Sequence, residues 1–312
     1  MNTQVDIALA TFNGELYLPE FLDSLIRQTH SNWHLYAGDD GSTDRTVELL
    51  KEFSVSHPNK ITILGTAEER LGAQANFSRA LQACRADYVL PADQDDIWHL
   101  DKVDVLLKQM LNVENRLGKE VSILFHSDLT LVDHNQKVIA LSLWRYQHTH
   151  PDYGKSFKNC MIQNTVTGCA SIINRALLNK ALPVPDEAIM HDWWLALTAS
   201  ATGGIHAIHE PLVLYRQHEK NTLGAKSWSL TAAWKRIRPD AKSARGRVAA
   251  YQRQAAVFLK RFGSELASEQ QKVLTDFSTL DQRAAPVRPL IALKHGLRKS
   301  DALRTAGFYL SL

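Results

Sequence analysis

The N-terminal part of the chain repeats one hydrophobic pattern. Val5-Asp-Ile-Ala-Leu-Ala10 is a short apolar run that stops at Thr11-Phe-Asn-Gly14, and Leu18, Phe21, Leu22, Leu25 and Ile26 then recur at helical spacing. Trp33 to Ala37 is strand-like, Gly38-Asp-Asp-Gly-Ser-Thr-Asp44 is a turn in which Ser42 or Thr43 can cap, and Thr46 to Phe53 reads as a helix. A third round sets a strand at Ile61-Thr-Ile-Leu64 and a helix over Ala73 to Cys84, and Tyr88-Val-Leu-Pro91 is a fourth strand. Strands alternating with helices make parallel βαβ units, which predicts an α/β fold with a Rossmann-like, mostly parallel sheet flanked by helices. Ligands of such sheets bind in the crevice beyond the carboxyl ends of the strands, and each polar cluster just named falls at such an end.

Beyond Trp98 the rhythm is less regular. Val121 to Phe125 is a strand ending in His126-Ser-Asp128, and Val166 to Ile173 is an extended run that leads into a helix at Asn174. Met190-His-Asp-Trp-Trp194 opens a helix that stops at Gly203-Gly204. Ile205 to Tyr215 is extended, with Pro211 demanding an edge strand or a bend, and it ends in Arg216-Gln-His218. From Gly224 onward the pattern changes. Val248, Tyr251, Ala255, Phe258, Leu259 and Phe262 share one helical face while Arg245, Arg247, Arg253, Lys260 and Arg261 occupy the rest. Such a basic amphipathic helix suits either packing on the body or a lipid interface, and Trp228 and Trp234 beside Lys235-Arg-Ile-Arg238 favour the interface. The expected division is an α/β domain over 1–223 and a basic, amphipathic helical region over 224–312.

Charge sharpens that division. The segment 224–312 holds 17 basic and 6 acidic residues, against 19 and 27 in 1–223. An acidic body with a basic tail points to an anionic partner, most simply a membrane surface, and without any standard binding motif it speaks against nucleic acid. Hydrophobic residues make up 45% of the chain, enough for a sizeable core. Cys84, Cys160 and Cys169 lack metal-ligand spacing, so reduced thiols in a cytoplasmic setting are expected. Met1-Asn-Thr-Gln-Val-Asp6 runs straight into a strand pattern rather than a signal peptide, and no apolar run approaches the ~18 residues that cross a bilayer. The expected location is therefore cytoplasmic, peripheral on the inner face of the membrane if the tail binds lipid.

Most of the chemistry sits in Tyr88-Val-Leu-Pro-Ala-Asp-Gln-Asp-Asp-Ile-Trp98, an apolar run that ends in Asp93, Asp95 and Asp96. Ionised carboxylates this crowded repel one another unless a cation lies among them. Hard divalent ions such as Mn2+ or Mg2+ prefer oxygen ligands and keep positions open for phosphate. Asp93-Gln94-Asp95 thus reads as a metal site at a strand's carboxyl end; the plain alternative is an acidic loop ahead of a helix capped by Asp101.

Seven segments stand in a recognisable order: Ala10-Thr-Phe-Asn-Gly-Glu15, Asp39-Asp-Gly-Ser-Thr-Asp44, Leu71-Gly-Ala-Gln-Ala-Asn-Phe77, Asp93-Gln-Asp-Asp-Ile-Trp98, Thr167-Gly-Cys169, His191-Asp-Trp-Trp194 and Tyr215-Arg-Gln-His218. Through them the chain, over roughly Val5 to Asn221, resembles the inverting family 2 glycosyltransferases of GT-A fold, in particular their bacterial rhamnosyltransferase-like branch. The resemblance implies a metal-dependent enzyme of surface polysaccharide (O-antigen) synthesis. It would move a sugar, rhamnose by branch, from a dTDP- or UDP-sugar donor to a glycan or lipid-linked acceptor.

The same resemblance implies roles. Asp93 and Asp95 would hold Mn2+ or Mg2+, with His218 completing the metal or diphosphate site. Thr11, Asn13 and Glu15 on the first turn, and Asp39 or Asp40 against the base, would line the nucleotide. Arg70, where the branch more usually has asparagine, would pair with diphosphate or face water. Asn76 would brace the loop or touch the nucleotide, Gln94 would reach the donor, and Gly168 would admit the sugar. Trp194 and Trp98 would pack against sugar or core. Asp192 would be the general base: inversion needs a carboxylate near the acceptor hydroxyl, and Trp193 and Trp194 would desolvate it and raise its pKa. Its plain alternative is a helix cap.

Two other classes fit parts of the pattern. A haloacid-dehalogenase-type phosphohydrolase also sets Asp-x-Asp after a strand, but it wants Thr or Val where Asp96 stands and usually carries the motif on its first strand. A non-catalytic nucleotide-sugar or membrane-binding protein would have no use for a candidate base.

Overall fold

A computed structural model describes residues 3–66, 70–218 and 241–312. Trp228, Trp234 and Lys235 to Arg238, singled out above for a lipid interface, lie outside the described residues. The chain begins β1 (Val5–Thr11), α1 (Leu18–Ile26), β2 (Trp33–Asp39), α2 (Thr46–Ser56), β3 (Ile61–Thr66), α3 (Ala73–Ala83), β4 (Tyr88–Asp93). It continues through β5 (Ile97–Trp98), α4 (Lys102–Leu117), β6 (Ser122–Val132), β7 (Val138–Ala140), α5 (Leu143–Gln147) and α6 (Phe157–Cys160). Then come β8 (Ser171–Asn174), α7 (Arg175–Ala181), α8 (His191–Thr202), β9 (Gly203–Arg216), and C-terminal helices α9 (Ala241–Phe262), α10 (Ser268–Ser278), α11 (Arg288–Lys294) and α12 (Ala302–Tyr309).

Among the described residues one sheet runs β3-β2-β1-β4-β8-β6-β9-β5, with β7 on β6. β1, β2, β3 and β4 are parallel, and β8 enters antiparallel between β4 and β6. β1 and β4 are apolar on both faces because helices cover both faces of a parallel sheet. Asp6 is the polar exception inside β1, and it caps the entry to β4 by accepting the Ala86 N–H at 2.7 Å.

Three elements differ from the sequence pattern. β6 runs on to Val132, past His126-Ser-Asp128, because β9 pairs along its length. Pro211 sits opposite Asp128 where that pairing shifts register, so the bend absorbs its missing N–H, and β9 is an inner strand flanked by β6 and β5. Gly168 to Ala170 form a 3-10 turn, leaving only Ser171–Asn174 as strand.

The apolar face of α9 is buried against the body. Tyr251 lies 5.2 Å from the Trp193 ring and Phe258 5.3 Å from Trp194, with Val248, Ala255 and Phe262 in the same core. Arg261 donates to the carbonyls of Lys180, Leu182 and Pro183, closing the end of α7. The helix thus takes the packing alternative. No helix among the described residues is long and apolar enough to cross a membrane.

Candidate active site

β4 delivers its acidic turn to the carboxyl edge of the sheet, and three contacts fix the turn there. Gln94 accepts the Phe12 N–H at 3.0 Å and donates to the Phe12 carbonyl at 2.9 Å, which ties the turn to the end of β1. Gly14 makes room for it: a Cβ on Gly14 would lie 2.2 Å from Gln94 Oε1. Arg216, buried at the end of β9, donates through Nε to the Asp95 carbonyl at 2.9 Å and through its backbone N–H to Asp96 at 3.3 Å. The same guanidinium pairs with Glu20 and lies over the Tyr17 ring. Finally Lys102, in the first turn of α4, is completely buried behind the turn with its ammonium against the Cys169 carbonyl.

The carboxylates oppose one another. Burial, then the charge of Asp95, raises the Asp93 pKa, and burial with both neighbours raises that of Asp96. Asp93, Asp96 and Cys169 offer atoms all within 4.8 Å of one another, Asp95 meets His218 Nε2 at 2.8 Å, and Asp96 Oδ2 is buried without a hydrogen-bond partner. Burial holds the Cys169 thiol well above its ordinary pKa, so it stays protonated and is a poor ligand. What remains is the carboxylate pair of Asp93 and Asp96, with the bonded Asp95–His218 pair on the same turn, and carboxylate oxygens are the donors that Mn2+ or Mg2+ prefer. Asp101 stands at the N-cap of α4 but its side chain caps nothing.

On the nucleotide side the structure brings the expected residues together but occupies most of them. Asp39 accepts from Thr11 Oγ1 at 3.0 Å, from the N–H groups of Gly41 and Ser42 at 3.1 and 2.9 Å, and from Ser42 Oγ. Asp40 holds the N–H groups of Leu71 and Gly72 at 2.6 and 3.0 Å. Asn13 Oδ1 accepts the Thr43 N–H, Glu15 accepts the Arg45 N–H, and buried Asn76 donates to the Gly38 carbonyl at 2.8 Å. Thr11, Asn13, Glu15, Asn76 and Gln94 therefore build the floor of the crevice by holding its loops. Arg70 is exposed at the rim, its guanidinium 3.8 Å from the Phe12 ring centroid and 3.7 Å from Asp40.

Asp192 lies in the first turn of α8 and accepts the Trp193 N–H at 2.6 Å. Burial pushes its pKa up to about 6 against hydrogen bonds from Trp193, Gly168 and Asn164. Its charge in turn raises the Asp93 pKa, so Asp192 lies within electrostatic reach of the acidic turn. His191 beside it stacks on Phe77 at 3.8 Å and is held neutral by burial, its pKa near 3.

Two expectations need correction. Trp194 is fully buried, donates Nε1 to the Ala181 carbonyl at 2.8 Å and packs on Phe258, so it is core rather than a sugar platform. Gly168 opens no space for a sugar: a Cβ there would lie 2.7 Å from His191 Nε2 and 3.3 Å from Asp192 Cβ, so its bareness admits the start of α8. Trp98 is likewise core, edge-on to Phe21. Sequence reasoning missed Lys102, Arg216 and Asn164. Lys102 falls on the buried stripe of α4 with Val103, Leu106, Leu107 and Met110, and a lysine on an apolar stripe was the available signal.

Comparison with known proteins gives a consistent picture. The family model described as "Glycosyl transferase family 2" matches residues 6–178. The dTDP-rhamnosyl transferase RfbG of Shigella flexneri is 30% identical over 244 residues, 73% of this chain and 78% of its own. The UDP-Glc:alpha-D-GlcNAc-diphosphoundecaprenol beta-1,3-glucosyltransferase WfgD of Escherichia coli is 26% identical, over 74% of this chain and 83% of its own. Among solved structures, S. aureus TarS 1-349 in complex with UDP superposes with a TM-score of 0.55 at 15% identity, covering 95% of this chain and 93% of that one. At that identity the likeness speaks for the fold.

Proposed function

The chain belongs to glycosyltransferase family 2, and on that premise we propose a metal-dependent, inverting transfer of a sugar from a nucleoside-diphosphate donor to an acceptor hydroxyl. What supports this reading, beside the family, is the crowded Asp93-Gln94-Asp95-Asp96 turn, pinned at the end of β4 by Gln94 and Arg216, with the raised Asp192 within its electrostatic reach. The family favours it over a phosphohydrolase.

Asp93, Asp95 and His218 would hold Mn2+ or Mg2+, with Asp96 behind them. Bound there, the ion supplies positive charge to the departing nucleoside diphosphate. Asp192 takes the proton of the acceptor hydroxyl as that oxygen attacks the sugar, and its raised pKa brings its basicity closer to the task. Arg216 and Gln94 keep the acidic turn in place, and Arg70 at the rim is a cation available to the donor. Asp39 and Asp40 set the shape of the base pocket. We read residues 1–223 as the GT-A catalytic domain and 224–312 as a helical region that buttresses it through α9.

The Shigella relative supports dTDP-rhamnose as donor, and the Escherichia coli relative supports a lipid-diphosphate-linked acceptor in surface polysaccharide synthesis. The test is a panel of dTDP- and UDP-sugars with Mn2+, scoring donor binding and slow donor hydrolysis, with Asp95→Ala as control. Binding of one donor that requires both the metal and Asp95 is expected. Absence of metal-dependent binding across the panel would overturn the reading.

A further inference from the structure

The basic helix α9, the sequence's own candidate for a lipid interface, has its apolar face buried on Trp193 and Trp194. A different apolar face is left open. In α11 and the residue before it, Val287, Leu290 and Leu293 are 41%, 62% and 62% exposed, while Ala292 turns inward at 0%. Leu290 and Leu293 are three residues apart and so share a face of the helix.

The charge that follows along the chain is mostly positive, with Asp281 the exposed acid just before it. Residues 282–312 contain six Lys or Arg and a single acid, Asp301. Of the six, Arg283, Lys294 and Arg298 are exposed, and none of these three pairs with a carboxylate among the described residues. Asp301 is occupied by Arg304 at 3.1 Å. Exposed leucines rimmed by unpaired cations match a surface of anionic headgroups over acyl chains, where the leucines enter the boundary and the cations meet phosphate.

The chain just beyond this face is fastened to the segment 148–163, which precedes Gly168. Gln163 and Ser300 are joined twice, by Gln163 Nε2 to Ser300 Oγ and by the Ser300 N–H to Gln163 Oε1, both at 3.0 Å. Arg304 donates to the His148 carbonyl at 3.1 Å, and Tyr153 donates to the Arg298 carbonyl. Asn164, next to Gln163, is among the groups that hold the Asp192 pKa down. The segment fastened beside the exposed face thus runs on to the neighbourhood of the candidate base.

We propose that the α11 face, with Leu290 and Leu293 as anchors and Arg283, Lys294 and Arg298 as headgroup contacts, seats this protein on an anionic phospholipid bilayer and so presents Asp192 to an acceptor carried in that bilayer. The acceptor half of this inference rests on the transferase reading; the membrane half does not.

The full chain is floated with vesicles of phosphatidylcholine alone, or with about 30% phosphatidylglycerol, at low and high salt. Binding to the anionic vesicles is expected to be at least about tenfold tighter and to weaken with salt. Leu290→Ser/Leu293→Ser, and separately Arg283→Ser/Lys294→Ser/Arg298→Ser, should each lower it about tenfold, with Mn2+-dependent donor binding unchanged. Wild-type indifference to anionic lipid, or leucine and cation variants that float like wild type, would overturn the proposal. So would a wild-type dimer that the leucine variant converts to monomer in sedimentation without vesicles, since the face would then pair copies of the chain. Lipid binding without any metal-dependent donor binding would count against the transferase reading while leaving the membrane face standing.

Discussion

The ammonium of Lys102 donates to the Cys169 carbonyl at 2.5 Å and sits 3.2 Å from the centroid of the Trp98 ring. This single contact joins the helix that follows the acidic turn to the loop whose Gly168 lies against the Asp192 side chain. Burial pulls the lysine's pKa down to about 7, while the Cys169 thiol, Asp96 and Asp93 push the other way. A buried cation beside buried carboxylates contributes little net stability as a pair, but removing one partner strands the other.

Lys102→Met keeps the side chain's length and removes its charge and donors. The Cys169 carbonyl then loses its buried donor, and stability should fall by about 1–3 kcal/mol in urea denaturation. Lys102→Arg should not restore it, because the space over Trp98 is filled at 3.2 Å. A Lys102→Met protein as stable as wild type would show that the lysine is a passenger.

The Gly14 and Gln94 pair makes a prediction with an internal control. Gly14→Ala drives a methyl into Gln94, whose amide then leaves the Phe12 backbone, so the acidic turn loosens. We expect a loss of about 1–3 kcal/mol from overpacking and weaker donor binding. Gln94→Ala alone loses two hydrogen bonds at about 1 kcal/mol each. Because Gln94→Ala removes the obstacle, the double variant should be more stable than the sum of the singles implies. Additive losses would mean that the two residues do not oppose each other.

For the proposed metal site, chelation should abolish turnover and Mn2+ should restore it. Asp95→Asn is expected to raise the Mn2+ concentration needed for half-maximal activity by more than about tenfold, and His218→Ala, acting through the 2.8 Å contact to Asp95, by about tenfold. Activity in excess chelator would remove the metal from the reaction.

The first half of the fold and the family were legible because each βα unit writes its period into sequence and ends in a polar turn. Asp93, Asp95, Asp192 and His218 were singled out by motif order, and their roles remain proposals. What the sequence could not reveal was which polar groups the protein consumes internally. Asn13, Glu15, Asn76 and Gln94 look like ligand contacts in a motif, yet each closes a hydrogen bond to a backbone group brought near only by tertiary packing. Trp194 was left between sugar and core for a related reason: on a helix apolar nearly all round, periodicity cannot say which aromatic faces a ligand, and α9, distant in sequence, covers it. Lys102 was overlooked because lysines are rarely buried completely.

Asp192 offers a test in which catalysis and stability move in opposite directions. As general base it must be ionised, so with its pKa at about 6 the rate should be level above pH ~7 and fall about tenfold per unit below pH ~5. The sign for stability is the reverse of the usual carboxylate. The folded pKa lies above the unfolded one, so the folded state holds the proton more tightly, and stability declines as pH rises from ~4 to ~6, remaining low above that. A shift of roughly two units corresponds to at most about 3 kcal/mol. Asp192→Asn preserves an oxygen to accept the Trp193 N–H and carries no charge, so at pH 8 it should melt higher than wild type, with the gain vanishing near pH 4. Its turnover should drop by about 10² to 10⁴ while metal-dependent donor binding persists. A carboxylate that merely caps α8 predicts the opposite: full turnover, and a melting temperature lowered at pH 8, since the charge near the helix N-terminus would be lost.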